Sequence, residues 1–149
     1  MKITLFKANK KHIEDVGLLF DMYRQFYKYN SEIKSSTSYI KKRILNKESN
    51  IFVSYCDNDA SGFVQLYETF DSLNINKKLV LYDLYVKKKY RNKGIGKLLM
   101  NKAKEFGIKK NYKIIELSTA ISNNVAQSLY ESLDYKRDTE YYNYYLELE

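Results

Sequence analysis

Apolar positions along the 149-residue chain change their period several times, and each change marks an element. Residues 2–7 (KITLFK) alternate and predict a strand. From His12 to Tyr29, the residues Ile13, Val16, Leu19, Phe20, Tyr23, Phe26 and Tyr27 recur at helical spacing and predict an amphipathic helix. Ser35–Ser36–Thr37–Ser38 offers N-cap chemistry for a second helix that buries Tyr39, Ile40, Ile44 and Leu45. IFVSYC (51–56) and GFVQLYETF (62–70) flank the turn sequence Asp57–Asn58–Asp59–Ala60 and read as a hairpin. After a polar loop through Asp71–Asn76, KLVLYDLYV (78–86) is almost continuously apolar or aromatic, as in a central strand covered on both faces. A helix follows with Ile95, Leu98, Leu99, Ala103 and Phe106 on one side, and Gly107 is expected just past its end as a left-handed cap. KIIELSTA (113–120) predicts another buried strand, residues 123–133 a helix, and YYNYYLEL (141–148) a last strand. The expected class is α/β (α+β), with a mixed sheet.

Composition narrows this frame. No linker, low-complexity tract or repeat interrupts the chain, so a single domain over 1–149 is expected. No apolar run approaches the roughly 18 residues needed to span a bilayer, and the charged stretch MKITLFKANKKH reads as a first strand and not as a signal peptide. Cys56 is the only cysteine, which excludes a disulfide within the chain and suggests a reducing, cytoplasmic setting. The net charge of +8 admits nucleic acid, a membrane surface or a phosphorylated small molecule as partner. Only Lys87–Lys88–Lys89–Tyr90–Arg91 concentrates it, so most lysines read as solvated surface, and neither nucleic acid nor membrane is the expected partner. His12 and Cys56 are each solitary or unique for their type, and no metal cluster can be built from them.

With five glycines and no proline, the chain still places two glycines one residue apart in YRNKGIGKLL (90–99). A strand, basic residues, a glycine turn and a helix in that order form a phosphate-binding arrangement, because the helix points unpaired N–H groups at the turn. A Walker A loop is excluded, since Arg91 holds its first glycine position and Leu98 its hydroxyl position. A dinucleotide fingerprint is excluded by Leu99 in place of the third glycine. What remains is an RxxGxG hexapeptide, Arg91–Asn92–Lys93–Gly94–Ile95–Gly96. Downstream, NNVAQSLYESLDY (123–135) puts Asn123, Ala126 and Tyr130 on one helix face, where they can reach a ligand lying alongside. The plainer alternative makes Asn123 an N-cap and Tyr130 a core aromatic.

RNKGIG after LYDLYV, followed by N-x-x-A-x-x-L-Y-E-x-L-x-Y, resembles the GCN5-related N-acetyltransferase (GNAT) family, most specifically over about Leu79–Tyr135. GFVQLYETFDSL is similar to the branch containing spermidine/spermine acetyltransferase and the yeast Hpa-type enzymes. The resemblance implies a sheet of about six to seven strands with about four helices, splayed between the strands at 78–86 and 113–119. It implies acetyl-CoA as donor, with its pyrophosphate on the backbone of Asn92, Lys93, Gly94, Ile95, Gly96 and Lys97 beside Arg91. It also implies a pantetheine arm hydrogen-bonded to Leu84, Tyr85 and Val86, with Asn123 and Ala126 alongside, and a homodimer. The implied activity is acetyl transfer to a primary amine of a small molecule or peptide. A non-catalytic acyl-CoA-binding module and a basic RNA-binding protein are the competing readings.

Such a transfer needs a neutral amine, donors for a developing oxyanion and a proton for the departing thiolate. Backbone N–H groups near Leu84–Tyr85 would serve the oxyanion. A tyrosine, ordinarily near pKa 10, keeps a proton to give at neutral pH, and Tyr130 matches the family position with that role. Asp83, inside an apolar strand, is the candidate base or a structural hydrogen-bonding group, with Glu68, Asp71 and a water relay as alternatives. Two departures stand out. Tyr82 occupies the place of a substrate-contacting acid in the spermidine/spermine enzymes, which speaks against a polyamine. Asp134 replaces a glycine, and aspartate tolerates the left-handed conformation expected there.

Overall fold

A computed structural model describes residues 1–149, which separate into two compact units, Met1–Ser118 and Thr119–Glu149. In the first unit the order is β1 (Ile3–Lys7), α1 (Ile13–Phe26), α2 (Ile33–Leu45), β2 (Asn50–Cys56), β3 (Asp59–Asp71), β4 (Asn76–Val86), α3 (Ile95–Lys109) and β5 (Ile115–Leu117). The second unit holds α4 (Asn124–Ser132). The strands lie in sequence order in one sheet, antiparallel throughout except for the parallel β4–β5 pair. Five strands stand where six or seven were expected. The missing strand is YYNYYLEL: Tyr141–Glu149 pairs with nothing in the sheet and is exposed along its length. Its Tyr-rich composition carries strand propensity, but propensity without a ladder partner leaves backbone groups to water.

Strand periodicity sends alternate residues to opposite sides of the sheet. Ile51, Val53 and Phe63 meet Val16 and Leu19 of α1 and Ile40 of α2 in one core layer. Phe52, between two of them, turns to the other side and meets Phe106 of α3, ring centroids 5.5 Å apart. The α1–α2 crossing is close because Gly17 lacks a side chain; a Cβ there would lie 2.5 Å from the Thr37 hydroxyl.

Two helix boundaries differ from expectation. α2 starts at Ile33, ahead of the Ser/Thr run, and Ser36 faces inward instead of capping. There its hydroxyl donates to the buried Asp21 carboxylate (2.8 Å), which also accepts from Ser31 Oγ (2.7 Å), the Glu32 N–H (2.8 Å) and Gln25 Nε2 (3.0 Å). A buried carboxylate needs such partners, and this one closes the α1–α2 corner. α3 runs past Gly107 to Lys109, and the left-handed residue after it is Asn111 (φ 62°). Gly107 is instead buried in the helix, its missing Cβ facing Ile115 and Leu79.

β5 pairs with β4 over three positions only, Leu79–Leu81 against Ile115–Leu117. β4 runs on through Tyr82–Val86, bonded on one edge to β3 and unpaired on the edge where β5 has ended. The splay expected between the strands at 78–86 and 113–119 lies here.

Candidate active site

The turn after β4 is built from its backbone. Arg91 folds back so that its Nε donates to the Val86 carbonyl (2.9 Å), while its guanidinium lies over the rings of Tyr85 (5.5 Å) and Phe26 (5.4 Å). Asn92 (φ 61°) and Gly94 (φ 80°) both take the left-handed conformation, which glycine adopts freely and asparagine tolerates. Gly94 is the N-cap of α3 and supplies no side-chain cap, and the first helical bond is Leu98 N–H to the Gly94 carbonyl (3.0 Å). The N–H groups of Ile95, Gly96 and Lys97 therefore have no acceptor within the chain. The buried Ile95 side chain fixes the helix start in the core, while Asn92, Lys93, Gly94 and Lys97 stay exposed. The result is a run of oriented N–H groups at the positive end of a helix dipole.

The neighbouring lysines behave differently from a solvated run. Lys87 Nζ and Lys89 Nζ each lie 2.8 Å from the Asp59 carboxylate, which also accepts from the Tyr90 hydroxyl (2.8 Å). These partners hold the Asp59 carboxyl well below the usual carboxylate range. Two of the three lysines thus tie the turn to the start of β3, and Lys88, Lys93 and Lys97 take no part in that network.

Upstream, the β3–β4 register slips by one residue: Leu81 opposes Leu66 and Asp83 opposes Gln65, leaving Tyr82 as a bulge. The bulge sits where β5 pairing ends, and it puts Tyr82 and Asp83 on the α1–α2 side of the sheet. Asp83 is buried, and its Oδ2 accepts from Gln65 Nε2 (2.6 Å) while Gln65 Oε1 accepts from Ser49 Oγ (2.7 Å). Burial pushes the Asp83 carboxyl up, partly offset by the hydrogen bond from Gln65 and by the nearby Tyr23 hydroxyl. The Tyr23 hydroxyl, beside that carboxylate, directs its single proton to the Tyr82 carbonyl (3.1 Å). Tyr67 packs edge-on against Tyr82 at 5.3 Å, and its hydroxyl meets that of Tyr39 at 2.9 Å. Asp83 thus lies in a recess walled by tyrosines.

The three carboxylates named from the sequence differ in their surroundings. Glu68 is taken up by Tyr112 and Lys77, and Asp71 by Asn74 in the β3–β4 turn, which leaves Asp83 as the carboxylate of the recess. Tyr23, Tyr39, Gln65 and Tyr67 line the recess, and none of them is singled out by the sequence. One signal was present: Gln65 and Asp83 are polar residues inside apolar strands, and such groups are rarely buried without each other's help.

In the second unit, Asn123 is the N-cap of α4, its side chain accepting from the Ala126 N–H (3.2 Å). Gln127 ties the preceding turn by donating to the carbonyls of Ala120 and Ile121. The Tyr130 ring lies 6.0 Å from Tyr135, and Asp134 adopts the left-handed conformation expected of it (φ 68°).

Residues 17–135 match the family model described as Acetyltransferase (GNAT) family. The chain belongs to this family. The uncharacterized N-acetyltransferase YhfO of Bacillus subtilis is 35% identical over 144 residues, covering 97% of each chain. A crystal structure described as that of a probable acetyltransferase superposes with a TM-score of 0.90 at 33% identity, over 100% of this chain and 99% of the other. The aminoglycoside N-acetyltransferase AAC(6')-Iy, solved with CoA, shares the fold at 18% identity (TM-score 0.83, 98% and 95% covered). The chain is accordingly a GNAT acetyltransferase, an enzyme of acyl transfer. No helix is long and apolar enough to cross a membrane, and no group of three or more His, Cys, Asp or Glu side chains is placed to hold a metal ion.

Proposed function

We propose that this GNAT enzyme transfers the acetyl group of acetyl-CoA to a primary amine of a small molecule or peptide. One observation carries the donor assignment. The turn Asn92–Lys97 presents unaccepted N–H groups, next to a β4 edge, Leu84–Val86, that lacks a neighbouring strand. Oriented N–H groups suit a pyrophosphate, and a free strand edge suits the amides of a pantetheine arm. Arg91 holds the turn against Val86, and the family motif is what suggests Asn123 and Ala126 as further donor-binding residues.

Acetyl-CoA supplies the thioester. Asp83, whose proton affinity burial has raised, takes the proton of the incoming ammonium. Backbone N–H groups near Leu84–Tyr85 stabilise the developing oxyanion, and the Tyr130 hydroxyl gives its proton to the departing sulfur. Tyr82 beside Asp83 offers a ring where a polyamine would want a second carboxylate, so a polyamine is disfavoured as acceptor. A single domain, a homodimer and a cytoplasmic setting complete the reading; the family match across residues 17–135 and the buried, unpaired Cys56 accord with it. An RNA-binding protein would need exposed aromatics interleaved with basic residues on one sheet face, whereas the exposed tyrosines of Tyr141–Glu149 lie in no strand and have no lysine or arginine among them.

The test is turnover of acetyl-CoA across a panel of amines with wild type and Tyr130→Phe. Wild type releases thiol, and the phenylalanine variant loses about 10²–10⁴-fold in rate with the KM for acetyl-CoA nearly unchanged. A folded wild type that binds CoA but acetylates no amine would be an acyl-CoA-binding module instead.

A further inference from the structure

The tyrosine-walled recess has charges of opposite sign at its two ends. At one end is Asp83, its carboxylate held by Gln65, with Tyr23 bonded to the neighbouring Tyr82 carbonyl. From there Tyr67 leads to Tyr39 through their paired hydroxyls (2.9 Å), and the Arg43 guanidinium lies over the Tyr39 ring at 4.2 Å. Burial and the hydroxyl bond to Tyr39 raise the proton affinity of Tyr67, so it stays a neutral wall of the recess. The Arg43 fork is incompletely used. Tyr39 and Glu48 hold part of the guanidinium, one terminal nitrogen reaching Glu48 at 3.5 Å, while Nε is buried without a hydrogen-bond partner. Leaving a buried donor unmet is costly, and the planar fork of arginine matches a carboxylate. Tyr39 and Tyr82 are 40% and 63% exposed, so a small molecule can reach the recess from solvent.

We propose that this recess takes a slender acceptor carrying one primary ammonium and, at its other end, a carboxylate. The proposal rests on the acetyltransferase reading above and adds to it the charge pattern of the acceptor. The ammonium seats against Asp83 among the rings of Tyr23, Tyr67 and Tyr82, which attract a cation through their faces. The carboxylate meets Arg43 beside Tyr39. A diamine fits less well, because its second ammonium would face a guanidinium. In the transfer, the ammonium loses a proton to Asp83 and its nitrogen bonds to the thioester carbonyl carbon. The carbon–sulfur bond then breaks, and the sulfur leaves as a thiol with the proton given by the general acid. The products are an amide and CoA.

The test compares kcat/KM at saturating acetyl-CoA for three acceptors of similar length: aminohexanoate, pentylamine and cadaverine. Wild type should favour aminohexanoate over each of the others by about tenfold or more, the worth of one charge-assisted hydrogen bond. Arg43→Gln should bring the ratio of aminohexanoate to pentylamine close to one, and Arg43→Lys should retain part of it. A wild type that favours cadaverine overturns the proposal, as does a ratio unchanged in folded Arg43→Gln. The wild-type ranking needs no variant, so a poorly folding Arg43→Gln leaves the proposal exposed to refutation. If CoA raises the melting temperature but none of the three is acetylated, the acceptor proposal falls while the donor reading stands. If CoA does not bind, the donor reading falls with it.

Discussion

Between Asn92 and Lys97 the groups offered to a ligand are backbone N–H groups, whereas around Asp83 they are side chains drawn from α1, α2, β3 and β4. The turn needs only two left-handed residues and a helix start, all within six consecutive positions. The recess needs a bulge, a slipped register and a crossing of two helices before Tyr23, Tyr39, Gln65 and Asp83 meet. A backbone-built site tolerates change in its side chains but not in its dihedral angles. A side-chain-built site is the reverse, free to vary its residues and hence its acceptor. If the two regions serve the two halves of one reaction, as proposed, substitutions should break them separately.

The largest effect is expected in the recess. Asp83→Asn keeps the shape and the hydrogen bond from Gln65 in reach but removes the base, so turnover should fall by about 10²–10⁴-fold. Binding of CoA should stay within about twofold of wild type, well inside the change of 1.4 kcal/mol that a tenfold loss represents. Loss of CoA affinity to the same degree as turnover would show that the two regions are not separable.

Next comes the corner that shapes the recess from α1 and α2. Asp21→Ala strands donors from Ser31, Ser36, Gln25 and Glu32 beside a buried void. Stability should drop by about 3 kcal/mol in denaturant unfolding, in the range for a broken buried network. Its hydrogen bonds hold the Asp21 carboxyl below the usual range despite the opposing effect of burial. The unfolded chain therefore takes up that proton first on acidification. This contribution to stability is full above the unfolded value near pH 4 and fades as pH falls through the lower folded value. Wild type should accordingly lose stability below about pH 4 more steeply than Asp21→Ala.

A smaller effect separates a base from a merely buried acid. Because burial raises the Asp83 carboxyl, the acid limb of kcat/KM should lie above the ordinary aspartate value near 3.9. The bond from Gln65 holds that rise in check, so Gln65→Met should move the limb to higher pH. An acid limb that stays put in folded Gln65→Met would detach Asp83 from the proton transfer.

The difference between the regions also explains what could be read in the chain. RNKGIG is contiguous, and its glycines, its basic neighbours and the helix behind it speak through local rules. The long apolar run of β4 and the periodicity of α1 are equally local, and both elements stand where expected. The recess is a product of register. That Asp83 meets Gln65 and not its neighbour depends on the bulge at Tyr82, which no local pattern announces. The same holds for Ser36, which carries N-cap chemistry but lies in a helix whose start is set by the distant Asp21. Gly107 has the composition of a cap, yet it lies inside α3, buried against Ile115 and Leu79, and the left-handed residue comes only at Asn111. Lys87 and Lys89 looked like solvated charge until β3 placed Asp59 between them.

The central claim is that the donor is held by the backbone of the 92–97 turn. It is tested most directly by titrating CoA calorimetrically into wild type and Gly94→Val. A Cβ at Gly94 would have no protein atom within 4 Å, so the variant should fold. The φ of 80° adds strain of about 1–2 kcal/mol for a residue with a side chain. CoA should bind tightly to wild type and lose about tenfold or more, near 1.4 kcal/mol, in folded Gly94→Val. Wild-type affinity in that variant would contradict it.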